Sequence, residues 1–249
     1  MKSHRCFHDG PLAESAVILL SETESHHLMR VRRARAEDSI FVLNGAGVEM
    51  RAEIVPGTSK SVSLRMVEVM RVEVRREPLP ALALSLTPDS ESIVGSAIEL
   101  GVSAFHPLIT VRCTVRGAEK KPDALCDRWR RMAITALKQC ERLWLPDIQV
   151  PKPVSEVLSG VMAAGGLPIC LAERSHDSRP LLEILQRPGH EAPTFFVGPE
   201  GGWDPSEREL FDQAGAAIAT LGDAILRAET ACLCALATSL AHRTATASG

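Results

Sequence analysis

Near its start the chain alternates apolar and polar residues in short runs. "AVILL", "SIFVLNG", "VEMRAEIV" and the long "SVSLRMVEVMRVEV" repeat at a period of two, which predicts strands. Asn44-Gly45-Ala46-Gly47 supplies turn chemistry between the second and third runs, and Pro56-Gly57 breaks the chain before the fourth. One helical piece, "ESHHLMRVRRA", interrupts the strands, so the pattern predicts a small β domain. The rhythm changes at "REPLPALALSL", where Pro78 and Pro80 precede an apolar run followed by helices. This predicts two domains, residues 1–77 and 78–249. Beyond the boundary, strands and helices alternate, the signature of an α/β domain. Its strands are predicted at "ALALSL", "AFHPLI", "LPICLAE" (167–173), "APTFFVG" (192–198) and "AAIATLG" (216–222). Helices are predicted at "SESIVGSAIELG", ending at Gly101, and at "KPDALCDRWRRMAITALKQC". The second helix sets Leu125, Trp129, Met132, Ala133, Ala136, Leu137 and Cys140 on one stripe, with Arg128, Arg130, Arg131 and Lys138 on the other face.

Composition narrows the class. A chain of 249 residues with 45 % apolar content is long enough for real cores. Its longest uncharged apolar stretches fall short of the roughly 18 residues a membrane span needs, and no apolar signal core follows Met1-Lys2-Ser3-His4-Arg5, so a soluble cytoplasmic protein is expected. The seven cysteines are scattered without paired C-x-x-C spacing, which suits reduced thiols rather than a disulfide or zinc framework. The adjacent His26-His27 does not form a metal motif either, and no metal is expected.

The net charge of −3 argues against a generally basic coat for nucleic acid. It averages over unequal parts: residues 1–77 carry twelve Lys+Arg against eleven Asp+Glu, and the remainder sixteen against twenty. Within the front, Arg30, Arg32, Arg33 and Arg35 form either a phosphate-attracting patch or a solvated face answered by Glu22, Glu24, Glu37 and Asp38. With no Tyr, six Phe and three Trp, a broad aromatic platform for RNA bases is not expected.

Candidate chemistry lies in three loops after strands, where an open α/β sheet leaves backbone donors and acceptors free. They are Leu171-Ala172-Glu173, Gly198-Pro199-Glu200-Gly201-Gly202, and Leu221-Gly222 running through Ile225 and Leu226 to Arg227. "GPEGG" has neither dinucleotide-binding nor P-loop spacing, so its glycines either permit close backbone approach to a ligand or simply form a tight strand-to-helix turn, the reading favoured for this motif taken alone. Asp204 as N-cap, Pro205 at the first position and Glu207 three residues after Asp204 mark the start of a helix. Arg227, immediately before another helix, is placed either to meet an anion or to pair with Glu229 or Glu200.

"GPEGGWDPSE" and "LGDAILRAETA", together with "IELGVSAFHPL", "ALKQCERLWLPDI", "RCFHDG", "LSETESHHLMRVRRA" and "FVLNGAG", resemble the 16S ribosomal RNA uridine-N3 methyltransferase family of the SPOUT class. The likeness covers nearly the whole chain. It implies a SPOUT-type trefoil-knotted α/β domain preceded by a small PUA-like β-barrel domain, S-adenosylmethionine as cofactor, 16S ribosomal RNA of the small subunit as substrate, and a homodimer. By position it implies a cofactor site at Leu171, Ala172, Glu173, Gly198, Pro199, Glu200, Gly201, Gly202, Leu221, Gly222, Ile225, Leu226 and Thr230. Arg227, Glu229 and Glu200 are the implied catalytic group, with Arg227 stabilising the uridine anion. Arg5, His26, His27, Arg30, Arg33, Arg112, Gln139 and Arg142 are implied on the RNA side. The chain departs from the family where Glu91, Ser92 and Ser96 stand in a helix usually carrying lysines, and where Glu37 replaces a glycine. A non-catalytic RNA- or ribosome-binding protein that keeps the fold is the alternative. A hydrolase using Glu200 and Glu229 lacks any nucleophile motif.

Overall fold

The computed structural model describes residues 3–35, 38–56, 61–75, 78–115, 121–172, 178–187, 189 and 192–247. Glu37, Glu173 and the predicted boundary at residue 77 lie outside them. By internal packing the chain divides into two units, one of residues 1–75 with 134–145, the other of 76–133 with 146–249.

In the first unit, β1 (Ser3–Phe7), β2 (Val17–Leu19), β3 (Ser39–Leu43), β4 (Val48–Val55) and β5 (Ser63–Val72) form one sheet in the order β1-β3-β4-β5-β2. β1 runs parallel to β3, and the other pairings are antiparallel. The alternating pattern sends Ile40, Val42, Met50, Ala52, Leu64 and Met66 into a single core. Cys6 of one edge strand and Ile18 of the other join that same cluster, so the sheet curls around it. The predicted helical piece divides in two: α1 (Glu22–His26), capped by Ser21, then a π-helical turn over His27–Val31. β1, within the N-terminal stretch, carries too short a pattern to be read as a strand.

The second unit is an α/β layer structure. Its elements are β6 (Ala81–Ser85), α2 (Ser90–Glu99), β7 (Ala104–Ile109), α3 (Pro122–Cys140), whose last turns belong to the first unit, β8 (Asp147–Ile148), β9 (Lys152–Pro153), α4 (Val154–Ala163), β10 (Leu167–Leu171), β11 (Arg179–Pro180), α5 (Leu181–Leu185), β12 (Pro193–Val197), α6 (Pro205–Gln213), β13 (Ala217–Thr220) and α7 (Ala228–Ala247). The strand order is β11-β13-β10-β12-β6-β7-β8, with β9 pairing β7. Every ladder in this sheet is parallel.

β6 and β12 are buried along their whole length, as central strands covered on both faces must be. One face packs Ala83, Leu108, Cys170 and Phe196 against Val157 and Val161 of α4 and Phe211 of α6. α2 and α7 pack together, and α7 lies against β12. The stripe predicted on α3 buries Leu125, Trp129, Ala133, Ala136 and Leu137, while Met132 and Cys140 remain half-buried. Trp129 packs edge-on against Phe105.

Candidate active site

β10 stands between β12 and β13, and Leu171 at its end is level with Val197 of one neighbour and Ala219 of the other. The three loops singled out in the sequence therefore leave one edge of the sheet side by side. Because the chain passes from β10 to β11 on one side of it and then to β12 on the other, its connections diverge there and leave a crevice beyond the carboxyl ends.

The middle loop is locked from two directions. Trp203 turns back so that its Nε1 donates to the Leu171 carbonyl at 3.1 Å. Its ring covers Gly198, where a Cβ would meet ring atoms at 3.0–3.3 Å, so only glycine fits without displacing the indole. Arg112, just past β7, donates from Nη1 to the Gly201 carbonyl at 2.7 Å and holds Nη2 3.4 Å from Asp204 Oδ2. Glu207, 5 % exposed, accepts from the Val111 N–H at 2.9 Å and from the Asp204 N–H at 3.0 Å. One carboxylate thus completes the cap of α6 and ties the β7 loop to it. Ser206, followed by Arg112, holds the Asp204 carboxyl below the ordinary carboxylate range.

In the third loop Thr220 Oγ1 donates to the Gly222 carbonyl at 2.9 Å and accepts from its N–H at 3.3 Å. Gly202 and Gly222 take φ of 71° and 129°, and open space stands where their side chains would be. Ile225, 78 % exposed, presents a bare apolar side chain. The Arg227 side chain is 83 % exposed, with Nη1 3.9 Å from Glu229 Oε1, a long exposed pair that constrains it little. Glu200 and Thr230 are exposed, and Leu171 is buried. The donor set suits a cation with a flat apolar part: carbonyls, open glycines and Ile225, with neither lysine nor arginine in the described stretches 198–202 and 221–226. The sequence reading gave no role to Trp203 or to the link between Glu207 and Val111. A tryptophan directly after two glycines was the available signal for the first, and the second has none.

The expected RNA side chains meet different fates. His26, Arg30 and Arg33 are exposed, and Arg30 and Arg33 make no ion pair among the described residues. Arg33 has φ 53°, and Arg32 N–H bonds to the His27 carbonyl at 2.9 Å, closing the π-helical turn that carries His27 and Arg30. Such turns are frequent at functional sites. Glu24, one of the acids set against these arginines, instead binds Lys138 at 2.5 Å and the Phe7 N–H at 2.9 Å. Asp38 accepts from the Arg35 N–H and lies 3.2 Å from His4. Burial and the neighbouring Lys138 and Arg32 lower the His27 pKa.

Arg5 is committed internally, 2.9 Å from Glu49 and 2.9 Å from Glu141. Gln139 is exposed and Arg142 half-buried. Arg112 serves the glycine loop. In α3, Arg128 pairs with Glu91, the acid standing where the resemblance led one to expect lysine. Among the described residues no cluster of three His, Cys, Asp or Glu side chains is arranged to hold a metal ion, and no helix is long and apolar enough to cross a membrane.

Comparison with known proteins gives two family matches: an RNA methyltransferase domain over residues 79–240 and an RNA methyltransferase PUA domain over residues 20–67. The chain is 32 % identical over 230 residues to ribosomal RNA small subunit methyltransferase E of Synechocystis, covering 89 % of this chain and 72 % of that protein. It is 28 % identical over 240 residues to the Rickettsia conorii protein of the same name, covering 95 % of each. A solved ribosomal RNA small subunit methyltransferase E from Neisseria gonorrhoeae, bound to S-adenosyl methionine, superposes with a TM-score of 0.84 at 26 % identity, covering 94 % of this chain and 95 % of that one.

Proposed function

The chain belongs to the RNA methyltransferase family, and from that premise we infer that it is an S-adenosylmethionine-dependent methyltransferase of 16S ribosomal RNA. The observation that carries this reading is the register of Leu171 with both Val197 and Ala219, which gathers three loops at one edge with Arg227 following the third. Small-subunit RNA methyltransferases are its relatives along the chain. N3 of a uridine as the target atom, a homodimer, the small subunit as the setting and the cytoplasm as the compartment are further parts of the same proposal.

When bound, S-adenosylmethionine supplies a methyl group on a positively charged sulfur. The loops at 198–202 and 221–226 would hold it with backbone carbonyls and amides, and Ile225 would cover its flat apolar part. Uridine N3 must lose its proton as it attacks the methyl carbon, and the negative charge that develops spreads onto the flanking carbonyl oxygens. Arg227, free to swing because its pair with Glu229 is long and exposed, would meet that charge. Glu229 would orient the guanidinium, and Glu229 or Glu200 would accept the proton. On the RNA side, His26, Arg30 and Arg33 offer exposed groups to phosphate.

The test is calorimetric titration with S-adenosylmethionine, followed by transfer of labelled methyl to 16S ribosomal RNA and mapping of the product. Saturable binding and one N3-methylated uridine are expected. Binding without transfer would favour the non-catalytic alternative, against which the retained glycine loops and the Leu226-Arg227-Ala228-Glu229-Thr230 run argue. Absence of binding would defeat the proposal.

A further inference from the structure

The second unit holds a cavity of about 620 Å³ along the face of its sheet that α4 covers, unused by the chemistry above. Thr194, the second residue of β12, lines it, as does Gly166 just before β10, whereas the cofactor loops leave the far ends of these strands. His106 is level with Ala83 and so with Phe196, and Lys152 pairs with Leu108, so the lining runs along the strands from Thr194 toward the outer strands β7 and β9.

His106 of β7, Lys152 of β9, Glu156 in the first turn of α4 and Thr194 all face this space. None of the four makes a side-chain hydrogen bond or ion pair among the described residues. Thr194 is only 5 % exposed. Val157 and Val161 supply an apolar wall. The space stays open because side chains are missing at Gly160 and Gly165, where nothing stands within 4 Å of a would-be Cβ. Burial, with help from Lys152 and against the pull of Asp147, keeps the His106 pKa below its ordinary 6.5. Its imidazole is therefore neutral at pH 7 and presents one donor and one acceptor.

A neutral hydroxyl and imidazole at depth, an apolar wall, a carboxylate and an ammonium match the successive parts of one ligand class. We propose that this cavity binds a ribonucleotide unit: the base against Val157 and Val161 with its edge on Thr194 and His106, the ribose hydroxyls on Glu156, and the phosphate on Lys152. Cavity size agrees, since small-molecule sites run from roughly 300 to 1,000 Å³. The ligand is either a free mononucleotide or one unpaired nucleotide of an RNA chain. The inference does not rest on the methyl-transfer reading.

The full-length protein is titrated with uridine 5′-monophosphate, adenosine 5′-monophosphate, the nucleoside uridine and a short oligouridylate, each with and without S-adenosylmethionine. At least one mononucleotide is expected to bind, about tenfold tighter than its nucleoside, and Lys152→Met should erase that difference. Thr194→Val, equal in shape, should weaken nucleotide and nucleoside alike about tenfold. Both variants should keep the wild-type melting temperature and cofactor affinity. An oligouridylate that binds more tightly and displaces the mononucleotide identifies RNA as the source, and one that does not identifies the free nucleotide. The assignment is overturned if no nucleotide or oligonucleotide binds, or if both variants bind them as wild type does. Loss of cofactor binding alone would count against the methyltransferase reading and leave this one standing.

Discussion

Glu49 is 3 % exposed, with Arg5 2.9 Å and Arg71 3.6 Å from its carboxyl group and Glu141 closing the set opposite both arginines. Removing one partner from a buried charge leaves the other uncompensated. Arg5→Ala is therefore expected to destabilise the protein by about 2–4 kcal/mol, read by denaturant melts. A variant that loses RNA affinity without losing stability would restore Arg5 to the RNA side. Arg227 is the opposite case: exposed, weakly paired and without structural duty beyond its backbone. Arg227→Ala should lower methyl transfer by at least about 100-fold, as removal of one anion-stabilising group does, with cofactor affinity retained. Full activity would exclude its assigned role. For Arg112, one contact to the glycine loop at Gly201 and one to the cap residue Asp204 set it apart from the other RNA candidates. Arg112→Ala should weaken S-adenosylmethionine binding when no RNA is present, a measurement that an RNA-only role would leave unchanged.

The helices show how local signals and packing divide the work. α6 was legible to the residue, because Asp204, Pro205 and Glu207 form a capping box that any chain of this composition would adopt at a helix start. The second oxygen of Glu207, bonded to Val111, was not legible: a partner 96 positions away leaves no local trace. Glu207→Ala should therefore cost more than a cap alone, about 1–2 kcal/mol, because the part-buried N–H groups of Val111 and Asp204 both lose their acceptor. α3 could be read from its stripe, which is buried at Trp129, Ala133 and Leu137. α4 carries a comparable apolar face, yet Pro153 at its N-cap makes no side-chain bond, and its far end dissolves into alanine and glycine. Nothing punctuates it. The π-helical turn at His27–Val31 likewise has no sequence marker; it buries Leu28 and is followed by Arg33 in the left-handed region.

At the scale of the molecule, stability should depend on pH through His106. Its folded pKa lies below the ordinary 6.5, so the unfolded chain binds the proton more readily. The stability gained by keeping the ring neutral is complete above about pH 7 and is lost as pH falls below 6.5. Asp147 opposes the shift and Lys152 reinforces it, and His106→Gln should flatten the slope of unfolding free energy between about pH 7 and pH 5. The alternation of strand and helix, and the strand ends from which the three loops leave, could be derived from the chain in order, because periodicity, turn chemistry and caps act over a few neighbouring residues. Which loops meet was beyond such reasoning. Only the strand order, with β10 between β12 and β13, brings residues 171, 198–202 and 221–227 to one edge, turns Trp203 onto Gly198, and gathers His106, Lys152, Glu156 and Thr194 around one cavity. These pairings join residues tens of positions apart, and the free energy selecting them comes from burial on both faces of the sheet, which no stretch of sequence possesses until the whole layer has assembled.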